Sequence, residues 1–76
     1  MDHAITAPTR ELLNWVASRR RTYVETMEAW RTSCPRMSVW EDSEIDGLVR
    51  IQRDDATDES IVVLTDRGRS LLSGAA

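Results

Sequence analysis

Arginine and carboxylate are the residue types with the numbers and clustering to do chemistry in this chain. Its ten Lys-plus-Arg positions are all arginine, set against thirteen Asp and Glu, for a net charge of -3. The planar fork of donors on arginine suits phosphate and carboxylate oxygens. From Met1 to Ser38, Arg10, Arg19, Arg20, Arg21, Arg31 and Arg36 outnumber Asp2, Glu11, Glu25 and Glu28. From Val39 to Ser60 the balance reverses, with Arg50 and Arg53 against Glu41, Asp42, Glu44, Asp46, Asp54, Asp55, Asp58 and Glu59. Arg19, Arg20, Arg21, Arg36, Arg50 and Arg53 are therefore candidate contacts to nucleic-acid phosphates. Glu41, Asp42, Glu44 and Asp46 are the opposite kind of candidate, a face for a basic protein partner. Both groups also have plain readings: arginines complementing a helix C-terminus in a solvated loop, and an acidic face that keeps a small domain soluble.

Nothing else in the chain assembles a reactive centre. His3 is the only histidine and lies at the chain start, and Cys34, before Pro35, has no second cysteine and no histidine near it in sequence. A nucleophile without a base or an orienting group is not a catalytic site, so an enzyme is not expected. Asp54, Asp55, Asp58 and Glu59 lack the alternating ligands and the turn glycine of a calcium loop, so no metal or cofactor is expected either. A single cysteine excludes an intramolecular disulfide and suits a reducing compartment. No apolar run reaches the length of a signal core or a membrane span, and the expected location is the cytoplasm.

At 76 residues and 41% apolar content the chain is expected to form one small domain, residues 5–73, with Trp15, Trp30 and Trp40 supplying much of the core. The elements that must position the charges follow from local pattern. A first helix is predicted after Pro8, capped by Thr9, with Leu12, Leu13 and Val16 on its inner face and Trp15 widening it. The run from Ser18 to Arg21 breaks that period. Thr22 with Glu25 three positions on forms a capping-box pattern for a second helix, whose inward stripe is Tyr23, Met27 and Trp30 with Val24 beside it. A turn at Ser33, Cys34 and Pro35 separates it from a short third helix, about Val39 to Asp46, for which Ser38 and Glu41 repeat the capping pattern and Gly47 is the stop. Alternation then predicts a hairpin: Val49 and Ile51 inward, Arg50 and Gln52 outward, an exposed and mobile six-residue acidic turn, and Ile61 to Leu64 returning. Thr65 caps a last short helix, Asp66 sits at its positive end, Leu71 and Leu72 return to the core, and Gly74 ends it.

Three helices, a two-stranded hairpin wing and a short C-terminal helix make an α+β winged helix-turn-helix. The stretch Gly47-Leu48-Val49, the acidic turn, and Leu64, Thr65, Gly68, Arg69, Leu71 and Leu72 in VVLTDRGRSLL resemble the wing and final helix of MarR-like winged-helix proteins. The segment TYVETMEAWRTSCPRMSVWEDSEIDGLVRI is also similar to small uncharacterised bacterial proteins of the same shape. The resemblance implies a DNA-binding transcriptional regulator with a basic recognition helix and wing, dimerised through long terminal helices. This chain departs from that pattern: it has no such terminal helices, which favours a monomer or a weak dimer paired through residues 10–18.

The third helix, Ser38 to Asp46, would be the recognition helix, presenting Met37, Ser38, Glu41, Asp42, Glu44 and Asp46. Carboxylates near a phosphate-lined groove repel it, and four exceed what reading cytosine needs. Two functions stand side by side: a small regulator bound to double-stranded DNA, and a protein-interaction winged helix whose acidic third helix and wing meet a basic partner. No segment suggests a pocket for a small-molecule effector.

Overall fold

The computed structural model describes residues 6–31 and 36–73, with the side chain of Arg36 excepted. His3, the turn at Ser33, Cys34 and Pro35, and the stop at Gly74 lie outside the described residues. The order is α1 (Ala7–Ser18), β1 (Arg21–Thr22), α2 (Tyr23–Trp30), α3 (Arg36–Ile45), β2 (Val49–Asp54), β3 (Glu59–Leu64) and α4 (Asp66–Ser73). One antiparallel sheet has the order β1-β3-β2.

The first helix starts earlier than expected. Thr6, not Thr9, is its N-cap, accepting from the Thr9 amide, and Pro8 falls inside the first turn. Proline is tolerated there because its missing N–H has no helical partner in any case. Leu12, Leu13 and Val16 are buried as their spacing requires. Thr22 and Glu25 form both bonds of the capping box of α2. Within α2 Trp30 is buried and Tyr23 and Met27 pack on the core, whereas Val24 is 66% exposed. Thr26, which no apolar pattern marks, is fully buried and donates its hydroxyl to Thr22 O at 2.8 Å, the local back-bond that hides a threonine in a helix.

Helix α3 also begins early, so Ser38 is a helical residue and no Ser38–Glu41 capping box starts it. Its end follows the glycine rule. Gly47 has φ +73°, its amide donates to Glu44 O, and the Leu48 amide donates to Ser43 O, the paired bonds of a Schellman turn. The hairpin register is Val49↔Leu64 through Asp54↔Glu59, which lengthens both strands and shortens the turn to Asp55–Asp58. Asp58 takes the left-handed conformation and donates its amide to Asp54 O. Val49 is buried, but Ile51 is 43% exposed. β2 is an edge strand, and only its first residue is buried.

The short strand β1 was not expected. It pairs Arg21 with Val62 and Thr22 with Ile61, turning the hairpin into a three-stranded sheet. Two residues are too few to show an alternating pattern. Thr65 then ties the last helix to the α3–β2 junction: its Oγ1 accepts from the Gly68 amide and donates to Gly47 O, and its amide donates to Leu48 O. At Gly68 a Cβ would lie 2.1 Å from Leu48 O, so only glycine lets α4 sit this close. Leu71 and Leu72 pack against the core as their positions suggest. None of the described helices is long and apolar enough to cross a membrane.

Candidate functional site

The three consecutive arginines leave α1 in three different environments. Arg21 is interior, 8% exposed, because its strand position places it opposite the buried Val62. Its Nε donates to Trp15 O at 2.8 Å, one terminal nitrogen to Ser18 Oγ at 2.9 Å, and the other to Glu25 Oε2 at 3.2 Å. The guanidinium carbon lies 3.8 Å from the Trp15 ring centroid, and Trp15 meets Trp30 edge-on at 6.1 Å. A cation over an indole face and three hydrogen bonds compensate its burial. Arg21 therefore joins the end of α1 to the start of α2 and does not point outward.

Arg19 is exposed and paired with Glu25. Burial alone would push the Glu25 carboxyl up, but bonds from Arg19, the Thr22 amide and Arg21 outweigh it and hold the carboxyl below its ordinary value. Arg20 reaches the wing, where it binds Asp54, Thr57 and Glu59. The bonds from Arg20 and then from the Ala56 amide hold Asp54 below the usual carboxylate range, and Asp54 and Glu59 raise Arg20 in return. Arg53 is likewise paired with Asp58 across the turn. The turn of the wing is thus fastened by polar contacts instead of a hydrophobic anchor.

Of the six arginines expected to meet phosphate, Arg19, Arg20, Arg21 and Arg53 are matched to carboxylates of the chain itself. Arg50 is exposed and, among the described residues, its side chain donates only to Gln52, and the side chain of Arg36 lies outside the described residues. The structure therefore does not gather the six into one free basic surface.

The carboxylates of α3 contrast with this. Glu41, Asp42, Glu44 and Asp46 are all exposed, and among the described residues none is paired with an arginine. Trp40 and Ser43, on the opposite side of the helix, are buried. In the middle of the acidic positions Ile45 is 81% exposed, which the sequence pattern did not single out. An amphipathic reading assigns such an isoleucine to the core; its position one residue past the buried stripe was the available sign. Among the described residues no group of His, Cys, Asp and Glu could hold a metal ion.

A helix pair, a third helix lying across it, a hairpin wing and a returning helix constitute the winged-helix fold. Among solved structures the chain is similar to a cysteine-to-serine mutant of Lactococcus lactis ZitR, with a TM-score of 0.67 at 14% identity, over 97% of this chain and 52% of that one. The chain thus spans about half the length of that protein. No protein-family model matches the chain, and no curated protein matches it significantly. At this identity the likeness establishes the fold.

Proposed function

We propose that this chain is a MarR-like winged-helix module that acts in regulation by docking a basic protein surface on α3 and the adjoining wing, in the bacterial cytoplasm and without catalysis. The observation that carries the reading is the uncompensated acidic face of α3. Exposed Glu41, Asp42, Glu44 and Asp46 surround exposed Ile45, while Arg20 and Arg53 at the wing are paired with carboxylates of the chain itself. An apolar anchor ringed by one sign of charge is a suitable centre for a protein interface: the isoleucine contributes area, the carboxylates steer and orient the partner.

Duplex DNA is the second reading, favoured by the fold and by exposed Arg50, which has no carboxylate partner among the described residues. In the usual winged-helix arrangement α3 enters the major groove, and here that would bring four carboxylates to the phosphates. Tryptophan fluorescence separates the two readings. The protein is titrated at low salt with a Lys- and Leu-containing amphipathic peptide and, separately, with mixed-sequence duplex. The first reading expects peptide binding that is abolished by Glu41→Arg/Asp42→Arg/Glu44→Arg. Duplex binding that this variant strengthens, with no peptide binding by the parent, would sink it.

A further inference from the structure

Among the described residues, every hydrogen bond that the Arg20 side chain donates goes to the wing. Its Nε donates to Asp54 Oδ2 at 3.0 Å, and one terminal nitrogen donates to Thr57 Oγ1 at 2.8 Å and to Glu59 Oε1 at 3.2 Å. Three acceptor oxygens, two of them anionic, converge on one guanidinium from a turn more than thirty residues away in sequence. A phosphate group presents arginine with a comparable cluster of acceptors. Two further cations share the location: Arg19, Arg20 and Arg69 line one shallow groove of about 510 Å³, with Ala17, Ile61 and Val63 also along it. Arg69 is lightly committed, donating to Leu64 O at 3.3 Å with Asp66 at 4.0 Å.

We propose that the arginines of this groove bind the phosphate backbone of duplex DNA and that the wing turn, which lies outside the groove, holds Arg20 in cis. Asp54, Thr57 and Glu59 stand in for phosphate oxygens at Arg20, and the acidic turn they carry repels any duplex while it is in place. The contact is built to be exchanged. Arg20 and Glu59 are both well exposed, and exposed ion pairs contribute little, whereas a polyanion gains from counterion release. The Arg20 guanidinium 2.8 Å from Asp54 favours the ionised carboxylate, the form a phosphate would replace. The masking does not depend on whether α3 docks a basic protein, since the residues are different.

The test is a set of charge-neutralising variants titrated with a short mixed-sequence duplex at low salt. Asp54→Asn/Glu59→Gln is expected to bind roughly tenfold more tightly than the parent, with a steeper salt dependence from the added phosphate contact. Glu59→Gln alone is expected to give a smaller gain. Glu44→Gln/Asp46→Asn changes the net charge by the same amount without touching Arg20, and its affinity is expected to stay within about twofold of the parent. Adding Arg20→Gln to the wing variant is expected to remove the gain. The proposal is overturned if the wing variant, melting as cooperatively as the parent, binds no more tightly. It is overturned equally if the α3 variant gains as much, or if the gain survives Arg20→Gln, because bulk charge would then explain it.

Discussion

At the α1–α2 corner each cation meets an anion of the same chain; on α3, among the described residues, the anions meet none. Arg19 and Arg21 share Glu25, and Arg20 holds Asp54 and Glu59, so three consecutive arginines are neutralised within one corner. Fewer than thirty residues later Glu41, Asp42, Glu44 and Asp46 stand exposed and, among the described residues, unmatched by any arginine. Composition alone treats both regions as charged surface. The difference is that charge at the corner is bound up with folding, whereas charge on α3 is left available to something outside the chain.

The contrast can be broken most directly at Arg21. Arg21→Ala removes a buried cation with its bonds to Trp15 O, Ser18 and Glu25 and leaves that carbonyl and carboxylate short of donors. A loss of about 3 kcal/mol is expected, which in a domain of this size lowers the melting midpoint by more than ten degrees, about four to eight for each kcal/mol. A midpoint within two or three degrees of the parent would mean that the corner is no more structural than α3. Thr22→Ala removes the capping acceptor for the Glu25 amide and should cost about 1 kcal/mol in the same melt.

Acid titration sharpens the comparison at the next level. The folded Asp54 and Glu25 carboxyls lie below their ordinary values. The unfolded chain therefore binds protons first as pH falls, and these groups stabilise the fold fully above the ordinary carboxylate range. Their contribution is lost as pH falls through the depressed values, from about pH 4 downward. Urea melts at a series of pH values should show stability falling across that window, and Arg20→Gln should flatten the part due to Asp54. A parent curve level from neutral to strongly acid pH would contradict the assignment. The smallest effect is expected on α3: Glu41→Gln/Asp42→Asn/Glu44→Gln removes exposed, unmatched charges and should leave stability within about 0.5 kcal/mol of the parent, or slightly above it. A loss beyond about 1 kcal/mol would show that these carboxylates serve the fold and would remove the reason to expect a partner there.

Much of the architecture was legible because it is written in short-range pattern. Thr22 and Glu25, Gly47, and Thr65 with Gly68 each state a cap or a stop within four residues, and the run from Val49 to Leu64 marks a hairpin, although Ile51 does not face inward as its alternation suggested. Where several residues competed for one role, the pattern was ambiguous. Thr6 displaced Thr9 because Pro8 fits inside a first turn, and α3 began at Arg36 instead of after Ser38. The candidate site was far less legible. Nothing local distinguishes Arg19, Arg20 and Arg21, and the single hint to Arg21 was Glu25 four positions on. Arg20's partners at the wing are brought to it only by the pairing of β1 with β3.

The amino-acid sequence by itself determined the order of the principal elements, the stop of α3 at Gly47, and the sign of charge on each segment, because those depend on neighbours within about one helical turn or one hairpin. Only the tertiary structure decided which charges cancel. Capture of the wing by Arg20 joins residues more than thirty positions apart, while burial of Arg21 against Trp15 and exposure of Ile45 among carboxylates depend on what the rest of the fold packs around them. Electrostatic matching depends on distance and solvent in three dimensions, which no spacing along the chain encodes.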